Sequence, residues 1–119
     1  MGQYFLIVNT DKREYLHPHR LGCGLKLWEI CANKALNVLG FLLRQSSEGG
    51  GGDIQKDYEN AGRWAGDRIV IVGDYDDSKL YEKAKAEFKE ITGEIKDEWN
   101  DFIGMEEQKI KCGDENVFA

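Results

Sequence analysis

One stripe near the C-terminal end limits what this chain can fold into. Leu80, Ala84, Phe88, Ile91, Ile95, Trp99 and Phe102 follow one another at spacings of 4, 4, 3, 4, 4 and 3 residues. Such spacing places every member on one face of a helix with about 3.6 residues per turn. Asp77 or Ser78 suits the start as an N-cap, and Gly104 suits the end. The pattern predicts one amphipathic helix over about 78–103, running through Gly93. At roughly 25 residues and about 38 Å it is longer than a domain of this size is wide. The expectation is therefore self-association through the overhanging long C-terminal helix.

The rest of the chain supplies strands and one more helix. Gln3 to Asn9 (QYFLIVN) is rich in aromatic and β-branched residues. Asn9 to Lys12 carries turn chemistry, and Glu14 to Leu16 returns, which predicts an N-terminal hairpin. His17-Pro18-His19 follows, holding the single proline and both histidines; proline ends the return strand because it cannot donate to a ladder. Arg68 to Gly73 (RIVIVG) is the strongest strand, and Arg63-Trp64 is a candidate short partner across the Ala65-Gly66 turn. Leu25 to Arg44 is helical in pattern but apolar nearly all round, so it is expected to be buried or packed on two sides, with a weak point near Asn33 as a possible cap. Gln45 to Asp53 contains four consecutive glycines and reads as a flexible loop.

These elements predict an α+β fold: a small, mainly antiparallel sheet packed by a buried helix at about 25–44 and the long helix at about 78–103. One globular domain is expected over residues 1–104, followed by a polar tail, 105–119, that is partly ordered at most, with Lys109 to Cys112 as a weak strand.

Composition then removes function classes. No apolar run approaches the roughly 18 residues of a membrane span, and the N-terminus lacks the basic start and small-residue cleavage site of a secretory signal. Cys23, Cys31 and Cys112 are odd in number and widely spaced, unlike a disulfide framework or a zinc site. A soluble, cytoplasmic protein with reduced thiols is the expectation. Residues 1–44 carry six Lys/Arg against three acids, a balance of +3, while the remainder holds ten bases and nineteen acids, a balance of −9. The net charge of −6 argues against long nucleic acid, which needs a clustered basic face. A small anionic ligand on the N-terminal half stays open.

Two stretches, MGQYFLIVNTDKREYLHPHRLGCGLKLWE at residues 1–29 and GRWAGDRIVIVGDY at residues 62–75, together resemble a family of small uncharacterised microbial proteins. That family shares the hairpin, the Pro-His step, the Gly-Leu-Lys-Leu helix start and the Trp-Ala-Gly-Asp-Arg-Ile strand. The resemblance implies kinship and carries no activity.

Several side chains are candidates for chemistry. His17 and His19 suit metal binding or general-base work near neutral pH, and in an extended chain they point to opposite faces; their bland alternative is a role in the turn around Pro18. Asp67 and Asp74, with Asp76 and Asp77, bracket RIVIVG, where carboxylates commonly hold a divalent metal; their bland alternative is turn and cap chemistry. Arg63, Trp64 and Arg68 offer guanidinium groups beside an aromatic plane for a base and a phosphate; the alternative is a core Trp64 and a paired Arg68. Gly49 to Gly52 lacks the Gly-Lys-Ser/Thr ending of a phosphate loop. Cys31, on the apolar helix, is expected to be buried, and Cys23, between two glycines, to be the more exposable thiol.

No complete catalytic signature is present, so enzyme status is open. The leading expectation is a non-catalytic binding or interaction module, in a homodimer if the long helix overhangs. The alternative is a small metal-dependent hydrolase, a phosphoesterase or nucleotide-processing activity, using His17 and His19 with Asp67 and Asp74. A further alternative is a small-nucleotide binder.

Overall fold

The computed structural model describes residues 2–111. Strands β1 (Phe5–Asn9) and β2 (Glu14–Leu16) form the expected hairpin. Helices α1 (Leu27–Ala32) and α2 (Ala35–Leu43) come next, then β3 (Ile69–Gly73), α3 (Leu80–Glu87), the two-residue strand β4 (Lys89–Glu90) and α4 (Thr92–Ile103). A single 3₁₀ turn, Glu106–Gln108, closes the described chain. The fold class is α+β. The sheet has the order β3-β1-β2-β4, antiparallel at β3/β1 and β1/β2 and parallel at β2/β4. Among the described residues no helix is long and apolar enough to cross a membrane.

Both faces of the sheet are covered. Leu6, Val8, Tyr15 and Val72 pack on one face with Tyr81 and Ala84 of α3. Ile7 and Leu16 face the other way, into a larger core with Val38, Phe41 and Leu42 of α2 and Ile91, Ile95 and Trp99 from the α4 region. A strand buried on both sides reads as an unbroken apolar run, which is why β1 carries Leu6, Ile7 and Val8 with no exposure at all.

This layering corrects the single long helix expected over 78–103. The stripe is real but divides between the two faces: Leu80, Ala84 and Phe88 serve the α3 side, while Ile91, Ile95 and Trp99 serve the opposite core. The chain must therefore pass around the edge of the sheet, and it does so as β4. There the Lys89 N–H donates to Arg13 O at 3.0 Å and the Ile91 N–H to Tyr15 O at 3.0 Å. The break falls before Gly93, which lies in the first turn of α4. A Cβ on Gly93 would sit 3.2 Å from Arg20 Nη2, so the glycine makes room for the guanidinium that pairs with Glu90. Glu90 in turn accepts the Thr92 N–H at 2.6 Å, opening α4. Gly104 ends it as expected, in the left-handed region at φ 66°.

The buried helix expected over 25–44 is also two helices. Asn33 caps the C-terminal end of α1, not the start of α2, and its amide donates to Glu29 O at 2.7 Å. Only Ile30 of α1 reaches the core; Leu27 and Trp28 lie exposed. The thiols reverse their expected places for this reason. Cys31 follows Ile30 on the outer side of a short surface helix and is exposed, while Cys23 is buried under the turn after Pro18. Arg63-Trp64 lies in a run of turns rather than a strand. Packing continues past residue 104: Asn100 bonds both backbone groups of Ile110, and Trp99 Nε1 donates to Gln108 O at 2.9 Å. Lys109 to Lys111 form no strand; Cys112 and the remainder of the tail lie outside the described residues.

Glu14, at the start of β2, ties the sheet to the long connection between α2 and β3. Its carboxylate accepts Arg63 Nη2 at 2.6 Å, Arg63 Nε at 3.2 Å and Trp64 Nε1 at 2.8 Å. Arg63 also donates to Asn60 Oδ1 at 2.8 Å and pairs with Glu94 at 3.3 Å. Trp64 is fully buried and the Glu14 and Arg63 side chains are 12% and 18% exposed, so removing the acceptor leaves the buried Trp64 N–H without its partner and Arg63 with Asn60 and Glu94 alone. Glu14→Ala is expected to lower stability by roughly 3 kcal/mol, read as a fall in Tm of roughly 10 °C.

Candidate functional site

A groove of about 610 Å³ lies between α2 and α4. Leu36, Asn37, Gly40, Phe41 and Arg44 line one wall, and Trp99, Phe102 and Ile103 the other. Its floor is an aromatic cluster. Phe41 lies 6.1 Å from Trp99 and 5.5 Å from Phe102, and Trp99 lies 6.0 Å from Phe102, measured between ring centroids. These are the tilted and edge-on separations that aromatic rings prefer. Phe102 and Met105 remain 40% and 51% exposed, so the mouth is apolar as well. A Cβ on Gly40 would meet nothing within 4 Å, which leaves that turn of α2 open to the groove.

Polar contacts set the ends of the groove. At one end Arg44 grips Asp53 through Nε at 2.9 Å and through Nη2, folding the glycine-rich loop back over α2. Only glycine fits at 49, because a Cβ there would stand 2.2 Å from Ile54 O. The guanidinium holds the Asp53 carboxyl down at about 2, so the pair stays ionised at neutral pH. The following segment is fastened to α4. Tyr58 and Lys56 both donate to Asp101, which lowers its carboxyl from the usual value, and Glu98 accepts the N–H groups of Glu59 and Asn60. At the other end Asn37 Nδ2 donates to Gln108 Oε1 at 2.8 Å. The groove is thus held open by contacts that do not depend on an occupant.

The side chains singled out from the sequence fall elsewhere. Asp67 and Asp74 sit at opposite ends of β3, roughly 20 Å apart along an extended chain. Each fastens β3 to β1: Asp67 accepts Asn9 Nδ2 at 2.9 Å and pairs with Lys12, and Asp74 Oδ1 accepts the Tyr4 N–H at 3.0 Å. The Lys12 bond, then Asn9, holds the Asp67 carboxyl below its ordinary value. His17 and His19 do share a side, contrary to the alternation expected of a strand. Pro18 starts a turn in which His17 O accepts the Arg20 N–H at 3.0 Å, and the two rings stack with centroids 6.2 Å apart. The turn lies beyond β2, with β1 between it and β3. Among the described residues no group of three or more His, Cys, Asp and Glu is placed to hold a metal ion. Trp64, fully buried on Glu14, offers no face to a base, and Arg63 is held by Glu14, Asn60 and Glu94. Arg68 is exposed, its N–H bonded to Asp11 Oδ2 at 2.9 Å.

Sequence reasoning passed over the groove, although a signal existed. A helix apolar nearly all round has more apolar surface than one core consumes; α2 spends the surplus of Leu36 and Phe41 on the groove. Comparison with protein-family models, curated proteins and solved structures found no match.

Burial pushes the His17 imidazole down from 6.5 to about 4, with His19 adding to the effect and Glu90 opposing it. Between those values the unfolded chain takes up a proton that the folded chain does not, so stability falls as pH drops through that window. Tm should decline from neutral pH toward pH 4 more steeply in the wild type than in His17→Gln, and a proton NMR titration should show the His17 ring neutral at pH 5.

Proposed function

We propose that the chain is a non-catalytic binding module whose ligand is a small, largely apolar molecule seated between α2 and α4. The observation that carries this reading is the groove itself. Its volume of about 610 Å³ lies within the range typical of small-molecule sites, roughly 300–1,000 Å³. Aromatic and aliphatic side chains dominate its lining, while its few polar groups stand at the ends. Arg44 lines the groove, and among the described residues no hydrogen bond uses its Nη1, whose two N–H groups are left for a carbonyl, hydroxyl or sulfonate oxygen. The ligand class is an apolar body that ends in such an acceptor. Cys23 and Cys31 are free thiols, which suits a reducing, cytoplasmic setting.

The other readings have less behind them. A hydrolase built on His17, His19, Asp67 and Asp74 would draw its ligands from both ends of β3. A nucleotide site on Arg63 and Trp64 would have to displace Glu14. Self-association through the C-terminal helix loses its argument from length, since α4 has 12 residues.

Gly40 supplies the test. Gly40→Ala should stabilise α2 by about 0.5–1 kcal/mol, as alanine replaces glycine within a helix, whereas Gly40→Leu should fill the groove. With 1-anilinonaphthalene-8-sulfonate as probe, the wild type should give a saturable fluorescence rise that Gly40→Leu abolishes without loss of Tm. Equal binding by both proteins, or none by the wild type, would rule the groove out.

A further inference from the structure

The two edges of the sheet are unlike. One ends in β4, only two residues long and carrying Lys89, a blunt edge of the kind that prevents further pairing. The other is β3, five residues of Ile-Val-Ile-Val-Gly, with no proline and no charge inside it. In the ladder with β1 the hydrogen-bonded partners are the even-numbered residues of β3, since the Thr10 N–H donates to Arg68 O at 3.1 Å and the Asp74 N–H to Tyr4 O at 2.9 Å. The N–H and C=O groups of Ile69 and Ile71, and the Gly73 N–H, therefore point away from the sheet. A hollow of about 330 Å³ runs beside them, from Gln3 and Phe5 to Ser78 and Leu80. Ile69, Val70 and Ile71 are half-buried, whereas Leu6, Ile7 and Val8 of the neighbouring strand have no exposure.

We propose that β3 is the seam of a symmetric homodimer, in which a second copy adds its own β3 antiparallel to the first and continues the sheet to eight strands. The charges flanking the strand select this occupant and its register. With the twofold axis at Ile71, Ile71 faces Ile71 of the partner subunit, and Ile69 faces the partner's Gly73. The Ile71 pair uses the outward N–H and C=O of both residues, and at the other position the partner's Gly73 N–H meets the Ile69 C=O, since the Gly73 C=O already accepts the Asp76 N–H at 3.1 Å. Val70 then lies opposite Val72 of the partner subunit. Arg68 lies opposite the partner's Asp74, at a position where side chains approach most closely. The twofold makes this charge pair twice. Arg68 is suited to it, because none of the ion pairs among the described residues involves its guanidinium. Among the described residues Asp74 is bonded through Oδ1 alone, to the Tyr4 N–H. A register moved by two residues would set Arg68 against the partner's Val72, or Val70 against the partner's Asp74. The seam shares no residue with the α2/α4 groove, so this inference and the ligand-binding reading stand or fall separately.

Sedimentation velocity on the whole chain tests the pairing. The wild type should show a monomer–dimer equilibrium. Arg68→Asp, which sets acid against acid twice, should weaken it by about tenfold or more; Asp74→Arg should weaken it similarly. An equimolar mixture of the two variants restores opposite charges at both ends and should form a one-to-one heterodimer. In parallel, amide exchange on the wild type should slow with concentration at Ile71 and Gly73 and stay constant at Val70 and Val72. A wild type that remains monomeric into the millimolar range overturns the proposal, as does a dimer that Arg68→Asp leaves unchanged. The exchange measurement keeps the test decisive even where Asp74→Arg harms folding.

Discussion

The carboxylate of Glu14 is the contact on which the arrangement of this chain most depends. It stands at the first residue of a three-residue strand, where a lone buried acid would be costly. Arg63 and Trp64 answer it from a connection that leaves α2 and returns to β3, and that connection has no helix or strand of its own. Fastening this pair fixes the path of the chain beneath the sheet. That path decides where Tyr58 and Asn60 meet α4, and hence where one end of the groove lies. Arg63 carries the link onward to Glu94. Strand, connection and final helix are joined through a single guanidinium.

The fold class was legible because alternation and apolar runs record burial directly. The hairpin, RIVIVG and the helical character of the C-terminal third all follow from side-chain periodicity. The break in that third was not legible. Leu80 to Phe102 keeps a helical period because α3 and α4 each present one apolar face; the period records that each face is apolar, not that both look at the same core. Only the position of β4 beside β2, a long-range fact, decides that the two faces separate. The same limit hid the fate of Cys31 and Trp28, since a six-residue helix at the surface shows one residue inward and resembles its buried neighbour in composition.

The candidate sites were less legible for a different reason. Asp67 and Asp74 bracket a strand as metal ligands would, yet carboxylates bracketing a strand serve equally well to bind neighbouring backbone and side-chain donors, and Asn9, Lys12 and Tyr4 were near enough to take them. Arg63 beside Trp64 resembled a nucleotide cradle until Glu14, forty-nine residues earlier, claimed both. In each case a charged group found its partner inside the chain. The groove, by contrast, is made of residues that composition assigns to a core. The all-round apolar character of α2 hints at a surplus, but nothing local marks Phe102 as lining a cavity rather than filling one.

The central strand closes its ladder late. Phe5 lies opposite Gly73 and Asn9 opposite Ile69, so β1 waits for more than half of the chain to be made before its second neighbour exists. At roughly 5–20 residues per second of synthesis, that interval lasts on the order of several seconds. Throughout it β1, apolar from Phe5 to Val8, lacks one of the two strands that flank it in the finished sheet. The β1/β2 hairpin joins neighbours in the chain, whereas the β1/β3 ladder joins residues 60 to 68 apart, so the second side of the apolar strand is covered only by the distant contact.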